Sequence, residues 1–596
     1  MWDVFLLKDD GALRRHEIFV GIYTVAAEVK EGAAVSVSAQ AQFSQAAQLV
    51  NHISHSTGKM ATFEPGFWRL DGSFMLTGSG SGNNIEVGFA SSQLSGANGV
   101  FAAPPEIVVN LAAEVDIENI SMVFDRATGE VMESVRFRAF DGQNRVVLDE
   151  TIVGNLAMRM STRGGALGVR RVEMVLLRTA TPRRRARVLE IDFGPVLEFG
   201  GEDIVSVNNL RQGDEGRGLP VNRLRARIAN EGRYNLLDRG SDVRFLKEKL
   251  PVEHNHSIVG GVQRQWVHCG SFYLNNWKIK DDYVEFVSYS RGKEIGKSIY
   301  RESSFRQFTL GDIARHVAAD GGFRVAVPFA MNISPWFPRF FGNISHRAAL
   351  SLIARAACCL LFEDTRGVFR FLDPLDEAGD FGDLLDFDKM FGAPKIETNV
   401  NYNGVMLRES FVSLESGQVT ASEEVWGEKD VEIPFDRPIY SGGWARASSG
   451  FGLSNVNFSA MYMTGRLQGF GSTDIEIGGN RANFARSDVF YPAPWFRAGM
   501  ERQPLVVDLP LFLTNLSRIG DVRNWFLARK FALLARRVVC DVNWRQNPSV
   551  GPGDMVLVQA DGSGRRVFGV VTGSEMDFDR GVLRGRTQVR IMNDEL

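Results

Sequence analysis

The 596-residue sequence predicts a mainly β protein with α+β inserts, opening with a β-sandwich of jelly-roll type. Three observations predict this. Short runs of Val, Ile, Leu and Phe are punctuated roughly every ten residues by Gly, Asp and Asn, the rhythm of strands and turns. Period-2 alternation is clear at Val135-Arg-Phe137-Arg-Ala139, where apolar groups point one way and guanidinium groups the other. Helical periodicity is confined to residues beyond 300.

In chain order, the strand at Val135 ends at Asp141-Gly142, a strong turn pair, and the chain resumes extended at Val146-Val-Leu148. Arg171 to Arg178 and Val188 to Phe193 follow, so residues from about 60 to 197 read as one antiparallel β domain. The next block, about 198 to 300, holds Arg223-Leu-Arg-Ala-Arg227, then Trp266 to Leu274 with Trp277, then Asp281 to Ser288: strand, turn, strand. Thr309-Leu310-Gly-Asp312 has the form of a helix-capping start, with Leu310, Ile313 and Val317 on one face and Gly321-Gly322 at the end. A second helix runs from Ser345 with Leu350, Ile353, Ala354 and Ala357 aligned, and leads into a hairpin: Leu360 to Glu363, a turn at Asp364 to Gly367, and Val368 to Phe371. Residues 395–515 return to aromatic-rich strands and Gly/Ser loops such as Ser441-Gly-Gly443 and Ser448-Ser-Gly450. A third helix, about 518 to 538, carries Val522, Phe526, Leu533 and Leu534. The C-terminal β unit has a turn at Gly551-Pro-Gly-Asp554, strands at Met555 to Val558 and Val567 to Val571, and a last strand with Thr587, Val589 and Ile591 alternating.

Composition excludes several classes. At about 150 residues per domain the length suggests about four domains. The 44% hydrophobic content excludes wholesale disorder. Four Cys are too few for a disulfide scaffold and fit a reducing compartment. The 68 basic and 71 acidic residues nearly cancel, which excludes a bulk electrostatic grip on nucleic acid or anionic membrane. No stretch approaches the roughly 20 apolar residues of a membrane span. The start at Met1 has an acid where a secretion signal needs basic residues, so no such signal is expected.

Candidate chemistry is sparse. His254, His256, His268 and Cys269 lie close together, and His-x-His on a strand puts both imidazoles on one face. There is no Cys-x-x-Cys, however, and His268 and Cys269 point to opposite faces, so ordinary strand-surface and loop-tip side chains are expected. The basic run Pro182-Arg183-Arg184-Arg185-Ala-Arg187 reads as a solvated turn, with an acidic protein neighbour as the alternative. Asp373, Asp376, Asp380, Asp383, Asp386 and Asp388 crowd one stretch, where paired carboxylates would suit a glycosidase. A solvated acidic loop is the expected account. Trp336-Phe-Pro-Arg-Phe-Phe341 is either an interlobe packing loop or a stacking surface for sugar or lipid. Phe63, Phe67 and Trp68 are aromatic loop residues of the kind with which jelly rolls hold carbohydrate. No Gly-x-Ser-x-Gly, His-Glu-x-x-His or Walker loop occurs.

The ordered set of segments resembles the tail-hub family of bacteriophages, also called phage tail or baseplate-hub proteins, with relatives in contractile injection machines. The resemblance rests on a galactose-binding-like module around Trp68-Arg-Leu-Asp71-Gly72 and Ile120 to Asp125, and on Arg185 to Gly194 leading through Glu202-Asp203-Ile204 to Leu219-Pro220 and Tyr234-Asn235. It continues with Gly270-Ser-Phe272 to Trp277, the helical inserts at Leu310 to Ala314 and Ala349 to Ala354, and Trp544 to Asn547-Pro548 with Val550 to Asp554. Together these cover about 60 to 594. Where many relatives have an aspartate after Phe286, this chain has Ser288-Tyr289-Ser290. The last strand lies just before Leu596, so the family's frequent C-terminal peptidase or lytic extension is not expected.

The resemblance implies a non-enzymatic structural protein of the virion, assembled in a host cytoplasm: a homotrimeric ring in which two similar β domains per chain give six quasi-equivalent surfaces. Such a ring caps a six-fold tail tube and adapts it to a three-fold tip or baseplate. Implied partners are distal tail and tail-tube proteins, the tape-measure protein, and tip or receptor-binding proteins. No catalytic residue, cofactor or metal is implied, and no specific nucleic-acid recognition. The expected units are 1–197, an N-terminal arm and jelly roll; 198–300, a first hub β domain; 301–394, a helical α+β insert; 395–515, a β-rich insert with strands of the second hub region; and 516–596, a helix and C-terminal hub β domain. The alternative functions are a host-surface glycan-binding module for receptor attachment, or a cell-wall hydrolase, which the missing motifs disfavour.

Overall fold

The computed structural model describes residues 15–24, 29–30, 32–53, 58–68, 74–76, 86–125, 128–214, 218–230, 232, 234, 246–260, 263–375, 381–398, 402–513, 519–536, 538–562, 564–579 and 582–592. Arg69 to Gly72, Asn235, Asp376 and Asp380 lie outside these residues, as does the start of the chain. The described structure is dominated by strands, with a few helices beyond residue 300.

The sandwich packs a five-stranded antiparallel sheet against a three-stranded one. The larger sheet takes in Ala34–Val37, Glu106–Ile117, Ala166–Thr179, Met132–Asp141 and Val146–Ile152, and the smaller Arg159–Ser161, Ser121–Val123 and Glu190–Asp192. Alternation does the sorting. Val135, Phe137 and Ala139 are wholly buried, while Arg136 between them pairs with Asp149 across the strand at 2.6 Å. The larger sheet contributes Ile107, Val109 and Met174 to the core and the smaller contributes Met122, Met160 and Ile191, so both sheets face one dry layer.

This sandwich is an insertion rather than an appendage. The strand Arg15–Tyr23 precedes it and Val196–Gly200 follows it, and the two pair antiparallel with Tyr23 directly opposite Val196. On its other side Arg15–Tyr23 pairs with Pro251–Gly260. The N-terminal segment is therefore an interior strand of the main sheet, and the two ends of the sandwich leave from adjacent positions.

The main sheet has sixteen strands among the described residues. Its path runs Val196–Gly200, Arg15–Tyr23, Pro251–Gly260, Gln263–Ile279, Tyr283–Tyr289, Arg223–Ala229, Ile204–Asp214, Arg566–Asp579, Val582–Ile591, Val538–Trp544 and Lys395–Thr398. It contains two largely antiparallel units joined edge to edge. Ser206 pairs with Asp579 and the register holds through Gln212 and Gly573, so residues about 370 positions apart share one ladder. Each unit keeps its own core. Ile18, Val20, Leu224, Ile228, Phe272 and Phe286 fill the first, and Cys540, Val542, Trp544, Val556, Val571 and Val589 fill the second.

The helices sit where periodicity placed them. Leu310–Asp320 starts on Thr309, whose hydroxyl accepts the Asp312 N–H, and His346–Ala357 starts on Ser345, whose hydroxyl accepts the Ala348 N–H. Cys358 ends the second helix in the left-handed region at φ 55. The hairpin Leu360–Glu363 with Phe369–Leu372 follows, its turn held by Asp364, which accepts N–H bonds from Arg366 and Val368. The helix Ile519–Ala535 buries Val522 and Phe526 in one core with Leu310, Ile313 and Val317 of the first helix and Leu350 and Ile353 of the second.

Residues Gly404–Pro434 and Tyr462–Pro492 form two paired 31-residue strands. They do not run straight. Pro434 pairs with Tyr462, yet Ile439 donates its N–H to Ala460 and also lies opposite Arg481, nineteen residues beyond Tyr462. A flat ladder would put those positions roughly 60 Å apart. The hairpin therefore curls back on itself, and Ile439–Ala447 and Gly452–Phe458 complete a small barrel-like module. Its core is Val425, Val431, Ile433, Met463, Leu467, Ile475 and Ile477. The bend falls where Gly427 (φ 99) and Gly471 (φ 110) supply backbone angles that other residues rarely adopt. The base of the hairpin, at Val405 and Leu407, joins the helical core together with Leu509 and Leu511.

Candidate functional site

A groove lies over the seam between the two β units. Its volume is about 690 Å³, and Ser206, Asn208, Arg225, Asp577 and Arg584 are among the residues lining it. The strand Arg223–Ala229 alternates, so Arg223, Arg225 and Arg227 reach the groove while Leu224, Ala226 and Ile228 enter the core. Arg225 and Arg227 both donate to Glu285, at 2.7 and 2.9 Å. Burial pushes the Glu285 carboxyl up, but the hydrogen bonds from Arg227 and Arg225 outweigh it and hold the group below its ordinary range. Asn208 crosses the seam and donates to Glu575 at 2.9 Å and to Asp577 at 2.5 Å. Val582 at the rim is half exposed. The groove offers donors and acceptors in rows beside an apolar rim. That chemistry suits recognition of a protein surface.

The residues singled out in the sequence are distributed differently from expectation. His254 and His256 are fully buried, and the His268 side chain nearly so, which overturns the surface reading. His254 Nδ1 accepts from the Asn209 amide at 2.9 Å. Burial, with the nearby charges of His268 and Arg211, takes His254 down to about 3. Burial pushes the Cys269 thiol up to about 12, which leaves it protonated and inert. These groups pack the centre of the first β unit.

The basic run is a solvated turn only at its start, where Pro182 and Arg183 are exposed; Arg184, Arg185 and Arg187 are engaged. Arg187 donates through both terminal nitrogens to Glu64, which also accepts from the Arg185 N–H at 3.0 Å and the Thr62 hydroxyl at 2.6 Å. The Glu64 side chain is wholly buried. Arg184 donates to Glu130 at 2.9 Å, and the Arg187 guanidinium lies 4.1 Å from the centre of the Phe67 ring. The run anchors the loop that carries Phe63, which stands 98% exposed at its tip. Phe67 and Trp68 are half-buried.

Among the acids, Asp373 is buried and accepts from Arg529 at 2.6 Å, so the acidic stretch is not uniformly solvated. Asp383 accepts from Asn547 at 2.9 Å, and Asp388 is exposed. In the aromatic segment, Phe337, Phe340 and Phe341 are buried, with Phe340 stacked on Phe305 at 4.6 Å. That is a packing loop, and only Trp336 is largely exposed.

One constellation has the composition of a hydrolytic triad. His346 lies 2.9 Å from the Ser298 hydroxyl through Nδ1 and 2.8 Å from Asp320 through Nε2. Nδ1 is also 3.1 Å from the Ser298 carbonyl oxygen, which can only accept. The Asp320 carboxylate can likewise only accept, so Nε2 donates to it, and Nδ1 faces both the hydroxyl and the carbonyl oxygen of Ser298. The arrangement ties the segment before Tyr300 to the start of the second helix.

The seam groove had one sequence signal, the alternation Arg223-Leu-Arg-Ala-Arg227. Its other wall, Asp577 to Asp579 with Val582 and Arg584, gave none.

No protein-family model and no curated protein matches the chain. Among solved structures it is similar to the 43 kDa tail protein of prophage MuSo2 from Shewanella oneidensis, at 9% identity and a TM-score of 0.36, over 66% of this chain and 94% of that one. It is similar to a prophage tail protein, gp18, from Listeria monocytogenes EGD-e, at 11% identity and a TM-score of 0.36, over 67% of this chain and 92% of that one. Over 31% of its length it is similar to the whole family 32 carbohydrate-binding module of C. perfringens NanJ in complex with galactose, at 10% identity and a TM-score of 0.18.

Proposed function

We propose that this chain is a structural subunit of a phage-type tail, a hub that closes as a homotrimeric ring and adapts a six-fold tube to a three-fold tip. The observation that carries the reading is the edge-to-edge union of two largely antiparallel β units through Ile204–Asp214 and Arg566–Asp579. Two units per chain, taken three times, present six similar surfaces to a tube. The main sheet also ends in the strands Val196–Gly200 and Lys395–Thr398. An open strand edge invites pairing, and a closed ring supplies it without further growth. The ordered sequence segments support the same reading. In the assembled virion the partners are tube, tape-measure and tip proteins, and the chain performs no catalysis.

The test is native mass and image symmetry. A particle of three 66.2 kDa chains with a three-fold ring is expected. A strictly monomeric protein that yields no ring with tube protein added refutes the hub.

A second reading, glycan attachment, is favoured by Phe63. A phenyl ring held fully outward by a buried Arg187–Glu64 anchor is suited to stacking on a sugar face. Binding on a glycan array that is lost in Phe63→Ala supports it. Silence of the native protein across a broad array refutes it.

A further inference from the structure

Three acceptor groups from two separate segments converge where the sandwich meets the main sheet. His52 follows a short helical turn, and Glu190 and Asp192 stand two apart on one strand, so both carboxylates face the same side. One ligand atom from each of the three lies within 4.8 Å of the others, and all three residues are buried. Both ring nitrogens of His52 are buried without a hydrogen-bond partner among the described residues, and the residue is only 7% exposed.

The carboxylates are already oriented. The His52 and Ile53 N–H groups donate to the two oxygens of Glu190 at 3.0 and 3.2 Å, and Arg159 donates to Asp192 at 2.9 Å. Supporting bonds of this kind aim metal ligands. The Lys30 ammonium donates to Glu190 and, at 2.9 Å, to Asp192. The pocket therefore already selects a cation. An ammonium leaves the imidazole unused, whereas a divalent ion would engage all three groups. Charge favours the exchange. Glu190, Asp192 and Glu198 face Lys30 and Arg159. Replacing the single charge of Lys30 by a divalent ion brings these named groups to neutrality. Lys30 has a long flexible stem on which to swing away.

We propose that His52, Glu190 and Asp192 bind a divalent first-row transition ion, with Lys30 as the internal cation that holds the carboxylates when no ion is bound. One nitrogen and two carboxylate oxygens at bonding distances of roughly 2.0–2.2 Å suit zinc, with water completing the shell. The donors close inward by less than their present spread to reach it.

The test uses the full chain, stripped with chelator and titrated with Zn²⁺ by calorimetry, with Co²⁺ absorption as the spectroscopic probe. One Zn²⁺ per chain is expected, with a raised melting temperature and Co²⁺ d–d bands. His52→Ala should weaken binding by at least about tenfold and abolish those bands. Lys30→Met should bind more tightly than the native chain, because the competing ammonium is gone. Binding that survives His52→Ala unchanged overturns the proposal. So does a native chain that takes up no ion, whether Lys30→Met then folds without binding or fails to fold.

Discussion

Glu363 makes the pH behaviour of the helical region predictable. Its carboxylate accepts from the Ser290 hydroxyl at 2.6 Å and from the Arg291 and Gly292 N–H groups at 2.9 Å each. It is buried, and none of these donors carries a full charge on the donating atom. Burial raises the group from 4.5 to about 7 despite the three bonds. A carboxyl raised in the folded state binds its proton more tightly there than in the unfolded chain. Its stabilising contribution is therefore full below about 4.5, falls as the pH rises, and is gone above about 7. At 1.36 kcal/mol per pH unit the swing is about 3 kcal/mol. Glu363→Gln removes the titration and keeps the size. The assay is urea unfolding of native and variant chains at pH 4.5 and pH 8, followed as the difference between them, which cancels the other titrating groups. Relative to the native chain, the variant should gain about 3 kcal/mol between the lower and the higher pH. A difference that stays constant between the two pH values refutes the reasoning and means the carboxyl ionises normally in the fold.

Three further outcomes are expected. Arg187→Ala strands the buried Glu64 carboxylate and should cost about 3–5 kcal/mol, with early proteolytic cleavage of the 62–67 loop as the readout. Gly553→Ala would place a Cβ 2.2 Å from the Phe362 ring at φ 93 and should lower the melting temperature sharply, while Gly564→Ala, at φ 84 with nothing within 4 Å, should cost only about 1 kcal/mol. Replacing residues 24–195 by a two-residue Asn-Gly turn should leave a soluble chain with the main sheet intact by circular dichroism, since Tyr23 and Val196 are already paired; aggregation of that chain would show that the sandwich is needed for the sheet.

Local physics was legible in the sequence and long-range pairing was not. Thr309 and Ser345 were readable as helix caps because the signal and its partner lie three residues apart. Val135, Phe137 and Ala139 were readable as an inward face because burial follows alternation. The curl of the 404–492 hairpin was hidden, since the alternation of a bent strand equals that of a flat one and only scattered glycines mark the corner. Arg184, Arg185 and Arg187 read as solvated because their partners, Glu130 and Glu64, lie 54 to 123 positions away. The His52, Glu190 and Asp192 group was invisible for the same reason: His52 stands 138 residues from Glu190. The buried histidines misled because a strand of a wide sheet, covered on both faces, hides polar groups that an edge strand would show.

The place of Arg15–Tyr23 between two later strands sets a timetable for synthesis. Its neighbours end at Gly200 and Gly260, so this strand waits through the making of the whole sandwich before either neighbour exists. At about 5–20 residues per second the ribosome needs on the order of 10–50 seconds to deliver them. The sandwich can fold in that interval, and in doing so it brings Tyr23 to the spot where Val196 will emerge. A domain that reads as cargo on the finished subunit thus serves the newborn chain as a clasp, holding its beginning ready for its middle.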